Sequence, residues 1–305
     1  MGWLLETLAR HGRLALVAGL VAGLALPSVA LALKPWLAHL VALLLFLTAL
    51  RIGPTETWRG LRQGRGALRM VLILQLALPL AVMALLALAG LLDTPVALAL
   101  LLMLSAPALT GSPNLSLLLG AKPEPAFRLL ILGTALVPLT MLPVFWLLPQ
   151  LGDFGAAVWG ALRLLAVIAV AVALGFVLRH RWIPTPTQTR QVDGAMTLAL
   201  VVIVVGLMSA LRPALEARPL DALGWMLLVF VVNFGLQAVT YHASRSLGHR
   251  HEAVPFAIIA GNRNVALFLV TLPAAQVEPL LLFLGCYQLP MYLTPLLMRR
   301  FYTRA

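Results

Sequence analysis

Apolar positions in this chain neither alternate nor recur as a single stripe. They come in long runs, separated by short segments where arginine, proline and glycine collect. A window of about 19 residues finds ten such runs: Leu14 to Leu33, Trp36 to Leu50, Leu68 to Leu91, Val96 to Ala121, Ala126 to Leu148, Ala156 to Leu178, Ala195 to Leu211, Leu223 to Tyr241, Ala253 to Leu272 and Leu280 to Met298. About 20 apolar residues in helical rise cross a hydrocarbon core of about 30 Å. The pattern predicts an all-α membrane protein of ten transmembrane helices, with residues 1–13 outside the bilayer and five spans in each of 14–150 and 151–305.

Composition agrees. Of 305 residues, 62% are hydrophobic and 10% charged, against about 25% charged in soluble domains, so the chain lacks the side chains to cover a water-facing surface. Its net charge of +12 would suit nucleic acid only as a basic stripe on a soluble domain. Here the basic residues lie between apolar runs, where they hold loops in the cytoplasm and meet anionic headgroups of the lipid bilayer. On one side fall Arg10, Arg13, Arg51, Arg59, Arg62, Arg65, Arg69, Lys122, Arg128, Arg179, Arg181, Arg190, Arg245, Arg250, Arg299, Arg300 and Arg304; on the other, Lys34, Arg212 and Arg218; Arg163 and Arg263 lie inside spans. That asymmetry places both termini in the cytoplasm of a bacterial-type inner membrane. Glu6 and Arg10 precede the first run without a small-residue cleavage site, so no cleaved leader is expected.

The halves echo each other. Pro138 and Pro143 in span five match the spacing of Pro290 and Pro295 in span ten, and each pair follows an asparagine cluster: Ser112-Pro113-Asn114 in span four, Asn262-Arg263-Asn264 in span nine. Five spans per half is an odd number, so two copies of one unit enter the membrane from opposite faces as inverted repeats.

Two segments carry the chemistry. Pro107, Gly111 and Pro113 forbid an unbroken helix four. A break inside the bilayer is tolerated where protein or a water-filled cavity satisfies the freed backbone, and half-helix ends there bind ions or carboxylates. The alternative is a proline kink sealed by Thr110 and Ser112. In span nine, Arg263 costs about 2.5 kcal/mol or more at the bilayer centre. It reads either as an anion ligand flanked by the acceptors of Asn262 and Asn264, or as a clamp on carbonyls released by the break in span four. Gln75, Asn233 and Gln237 are span amides that hydrogen-bond to a broken helix or serve as interhelical glue. No catalytic set is present: His180, His242, His249 and His251 belong to loops, and Glu6, Glu56, Asp93, Asp153 and Glu278 are dispersed in flanks. The lone Cys286 permits no disulfide or cysteine-built metal site within one chain.

Gly23-Leu24-Ala25-Leu26-Pro27, Ala49 to Pro54, Leu74 to Pro79, Pro107 to Asn114, Gly133-Thr134 with Pro138, and Ile259 to Leu267 together resemble, in order and spacing, the bile acid:sodium symporter family. The resemblance implies crossing broken helices four and nine, and a core domain (helices three, four, five, eight, nine and ten) moving against a panel of helices one, two, six and seven. It places Ser112, Asn114 and Thr134 at one sodium site and Gln75 at the other. Two departures stand out. A glutamate shared by both sites is replaced by Ile259, and the glutamine beside it by Arg263. Pro113 also separates a serine and an asparagine that normally adjoin.

Losing an anionic ligand and gaining a fixed cation changes the local charge by about two units, which argues against sodium as a coupling ion. The expected function is secondary transport of a small or amphipathic organic anion, with Asn114, Asn262, Arg263 and Asn264 at the substrate. Competing readings are an arsenite-type efflux carrier, which wants a thiol near the broken helix, and a non-transporting membrane ligand sensor.

Overall fold

Prolines and glycines set where the apolar runs stop, bend and break. The computed structural model describes residues 2–62, 65–272 and 274–304, and these form helices and turns with no strand. At Arg13, Arg65, 274–276, Glu278, Pro279 and Arg304 only the backbone is described, so the expected placements of the Glu278, Arg13, Arg65 and Arg304 side chains lie outside the described set.

Helix α1 (Gly2–Arg10) precedes α2 (Gly12–Ala25), and α3 (Pro27–Leu33) runs through a 3-10 turn into α4 (Leu37–Arg62). Next come α5 (Arg65–Leu72), a π-helical turn (Ile73–Ala77), α6 (Leu78–Leu88), α7 (Pro95–Ser105), α8 (Ser112–Leu118), α9 (Glu124–Leu147) and α10 (Phe154–Arg181). Helix α11 (Pro186–Leu207) leads to α12 (Leu211–Ala217), followed by α13 (Pro219–Ser246), α14 (Ala253–Gly261), a 3-10 segment (Val265–Val270), α15 (Ala274–Leu297) and α16 (Arg299–Arg304). Among the described residues, 7 helices are long and apolar enough to cross a bilayer unaided: Pro27–Arg62, Gly66–Leu88, Glu124–Leu147, Phe154–Arg181, Pro186–Ala217, Pro219–Ser246 and Leu280–Thr303. This is a multi-pass membrane protein.

Span boundaries need correction. The run from Leu14 to Leu33 is not one helix, because Pro27 has no N–H to continue α2 and pushes Leu26 out of the α region, to φ −119° and ψ 68°. Pro27 instead opens α3, where a first-turn position leaves its missing N–H without consequence. Span two does not stop at Leu50. It continues to Arg62 through a kink at Gly53, whose φ of 77° favours glycine, just before Pro54. The fourth and ninth runs each divide into two short pieces.

Contacts fix the helix directions. Gly12 faces Thr197 while Gly23 faces Val205 and Met208, so α2 and α11 run parallel. Gly175 faces Ala49 and Gly53 faces Arg179, so α4 and α10 also run parallel. A Cβ at Gly175 would come 2.8 Å from Ala49 Cβ and 2.9 Å from the Leu50 nitrogen, so this pair packs backbone against backbone, as small residues permit in membranes.

Arg10, Arg51 and Arg190 line one cavity and Lys34, Arg218 and Asp221 another, which distinguishes an arginine-rich end from an opposite end. Tryptophans mark both. Trp3, Trp58 and Trp182 sit towards the first, and Trp36, Trp146, Trp159 and Trp225 towards the second. Two such belts are what interfacial indole rings make at the two surfaces of a bilayer. Between them lies a continuous apolar core built largely from α4, α7, α9, α11 and α15. Yet among the described residues the largest fully buried side chain is Arg263.

Candidate functional site

The site is built by two helix breaks that repair each other. Pro107 ends α7 and holds Ala106 extended (φ −69°, ψ 149°), while α14 ends at Gly261 and Asn262 turns out to φ −110°, ψ 97°. The two extended pieces run antiparallel, with Ala108 opposite Arg263. Leu109 N–H donates to the Asn262 carbonyl (3.1 Å), and Asn264 N–H donates to the Pro107 carbonyl (2.8 Å). Two donors and two acceptors freed by the breaks are thereby satisfied without water, as the bilayer interior demands.

Three further carbonyls without helical donors bond to the Arg263 guanidinium. In the π-helical turn Leu78 N–H bonds back to the Ile73 carbonyl, so the next donor in register, for Leu74, belongs to Pro79, which has none. Arg263 Nη2 donates to that Leu74 carbonyl at 3.1 Å. The Ala106 carbonyl, stranded at the end of α7, accepts from Nη1 at 3.1 Å. The Ala260 carbonyl, whose natural donor Asn264 N–H has gone to Pro107, accepts from Nε at 3.2 Å. The C-terminal ends of α7 and α14 thus face the guanidinium, and with about half a negative charge at each helix end they oppose roughly one positive charge. Arg263 is 1% exposed.

The second break is held by side chains. Asn262 donates to the Ile258 carbonyl (2.8 Å), and its Oδ1 accepts from Asn233 (3.3 Å) and Thr294 (3.2 Å). Asn233 also donates to the Gly261 carbonyl at 2.5 Å, Gln237 donates to Asn233 Oδ1 at 2.6 Å, and the Tyr302 hydroxyl donates to Gln237 Oε1 at 2.8 Å. Tyr287 accepts the Arg263 backbone N–H at 3.0 Å and donates to the Gly261 carbonyl.

The expected ion ligands have different surroundings. Gln75, buried in the π-helical turn, donates to the Gly133 carbonyl (3.2 Å) and to Thr140 Oγ1 (3.4 Å), so helix α9 meets it through the Gly133 backbone and the Thr140 side chain; among the described residues no hydrogen bond joins it to half-buried Thr134. Ile259 is buried in an apolar cluster with Leu74, Ala108 and Ala260. Ser112 is fully buried and, among the described residues, its hydroxyl has no hydrogen-bond partner.

The four expected substrate residues do not all face one space. Asn262 and Arg263 are enclosed. Arg263 and Asn264 both border a void of about 20 Å³ between the crossing and helices α4 and α11. Asn114 is exposed on α8, where, with Gly111, it floors two cavities of about 540 and 500 Å³ at the arginine-rich end; Thr110 lines the larger. These cavities share Arg10, Gly111, Asn114, Thr197 and Leu200 and so form one bilobed space. The larger lobe carries Arg10, Arg51, Glu56, Arg190 and Asp193; the smaller is walled by Leu14, Leu16, Val17, Leu115, Leu118 and Tyr292. Arg51 pairs with Asp193 at 2.6 Å and Arg59 with Glu56 at 2.9 Å, whereas Arg10 and Arg190 have no ion-pair partner among the described residues. A cavity of about 880 Å³ at the opposite end is lined by no residue of the crossing.

Sequence reasoning missed Tyr287, Thr294 and Thr140. A readable sign existed for the first two: they lie seven residues apart in an apolar helix, two turns along one face. Arg10 and Arg190, read only as markers of topology, prove to be cavity residues. A comparison with protein-family models finds no match, and a comparison with curated proteins finds none either.

Proposed function

We propose that the chain is a secondary carrier for a small or amphipathic organic anion, working by alternating access and without sodium. One observation carries the reading: at the crossing of two broken helices, where a carrier of the sodium-coupled type would hold cations against backbone carbonyls, a guanidinium is bonded to three of them. A guanidinium stays protonated at any pH the protein meets, so the charge that sodium would lend reversibly is here permanent. Ile259, apolar and enclosed, adds no carboxylate to attract an ion.

The same reading takes the ten runs as ten passes in two inverted repeats, with both termini in the cytoplasm and the core and panel of the bile acid:sodium symporter architecture. Helix directions support it. Passes one and seven (α2, α11) are parallel, passes two and six (α4, α10) are parallel, and passes four and nine meet antiparallel, as ten alternating crossings require. The arginine-rich end is then cytoplasmic, and the bilobed cavity is the substrate space of an inward-open state, with Arg10 and Arg190, which have no ion-pair partner among the described residues, for an anionic group and the leucine-lined lobe for an apolar body. Arg263 polarises the crossing from behind and does not touch the ligand in this state. An arsenite-type carrier is disfavoured because Cys286 is buried and lines none of the four cavities described above.

The test is ligand-induced stabilisation of purified protein by a panel of carboxylates and sulfonates, in sodium chloride and in choline chloride. Equal stabilisation in both salts is expected for at least one anion, and it should be lost in the Arg10→Gln, Arg190→Gln double variant. Stabilisation that appears only in sodium, and saturates with it, would refute the sodium-free reading.

A further inference from the structure

Removing the coupling ion has a consequence for direction. Resting on the sodium-free reading above, we infer that this carrier exports its anion, driven by the membrane potential, and that Arg263 is the charge on which the potential acts when the carrier is empty.

The argument is one of charge. Arg263 is fully buried, and its described partners are three backbone carbonyls and, through its own N–H, a tyrosine hydroxyl; no carboxylate is bonded to it. Helix ends lower the local energy of the guanidinium, but a dipole has no net charge, so a body containing Arg263 still moves as a cation. The carbonyls belong to the π-helical turn, α7 and α14, which binds those elements into that body. With the cytoplasm negative, the empty body is drawn towards the cytoplasmic side, where the bilobed cavity opens. A bound monoanion cancels the charge, so the loaded body returns outward without opposing the field. Each cycle moves one negative charge out. At 100 mV, inside negative, that holds a monovalent anion about 50-fold more concentrated outside than inside. Coupled sodium would reverse this sign; a fixed cation, which makes the return journey, does not.

Two measurements in proteoliposomes with valinomycin-clamped potassium potentials test this. In the first, without substrate, Asn114→Cys in a Cys286→Ala background is labelled by an impermeant maleimide from the cytoplasmic face. Labelling should be several-fold faster when that face is negative than when it is positive, and Arg263→Gln should abolish the difference. Equal rates at both polarities, or a difference that survives Arg263→Gln, would overturn the inference. The second follows tritiated taurocholate, an amphipathic sulfonate that stays ionised, out of loaded vesicles whose protein has its cytoplasmic face inward. Sodium-free efflux faster with a negative interior supports export. Sodium-free flux indifferent to potential leaves the carrier reading intact and overturns potential-driven export, whereas flux that requires sodium sinks the carrier reading itself. If taurocholate is not carried, the labelling result decides.

Discussion

Replacing Arg263 by alanine strands the carbonyls of Leu74, Ala106 and Ala260, now held at 3.1, 3.1 and 3.2 Å. Charged hydrogen bonds contribute about 1.5–3 kcal/mol each, which caps the loss near 9 kcal/mol; the membrane-protein average of about 0.6 per bond sets a floor near 2. These acceptors cannot turn to helical donors, since Pro79 has no N–H and Asn264 N–H is committed to Pro107. Water entering the vacated space offsets part of the loss. About 5 kcal/mol is therefore expected, which at about 2–4 °C per kcal/mol is a fall of at least 10 °C in melting temperature. Tryptophan fluorescence in detergent reads it directly. Arg263→Lys retains the charge but not the three-way fork, so it should melt between the parent and the alanine variant; it also serves as the readout if the alanine variant does not fold. An alanine variant melting within 2 °C of the parent would show that the guanidinium does not hold the crossing together.

Other expectations follow from the same geometry. Tyr287→Phe removes the acceptor of Arg263 N–H and a donor to Gly261, so it should cost about 1–3 kcal/mol and combine non-additively with Arg263→Ala in a double-mutant melting cycle. Pro79→Ala supplies the missing N–H, so the Leu74 carbonyl no longer needs Arg263; Arg263→Ala should then destabilise the Pro79→Ala protein by about one hydrogen bond less than it does the parent. A methyl group at Gly194 would collide with the backbone of Leu5, so Gly194→Ala should lift α1 from α11 and speed tryptic cleavage after Arg10. Cysteines placed at Arg62 and Arg181 should react with impermeant reagent only from the cytoplasmic side; labelling from outside intact cells would show the orientation to be wrong.

Local chemistry was legible and long-range partnership was not. Pro107, Gly111 and Pro113 announced the break in the fourth run, and the structure breaks there. The cost of an intramembrane arginine announced that Arg263 has partners, and both a clamp and a ligand were open readings. What could not be read was which acceptors it finds. Leu74 and Ala106 lie 189 and 157 residues away, and their carbonyls become partners only once two broken helices cross. The asparagines beside Arg263 went elsewhere, Asn262 to Asn233 and Thr294, Asn264 by its backbone to Pro107. Span one misled for a simpler reason: hydropathy is blind to the proline that splits it. Thr134 looked equivalent to a ligand by position, whereas Thr140, a little under two turns on, reaches Gln75.

The guanidinium that joins the π-helical turn, α7 and α14 also orders events during synthesis. The carbonyls of Leu74 and Ala106 enter the membrane early, and their donor follows 157 residues after Ala106, about 10–30 s later at ordinary elongation rates. Throughout that interval the first half holds unpaired polar backbone in a medium that offers nothing in exchange. It must sit near lipid headgroups, borrow partners from the insertion machinery, or hold water. The halves of this protein are therefore not independently maturing units, and completion of the first waits on three consecutive residues of the second, the Arg263 side chain and the backbone of Asn262 and Asn264.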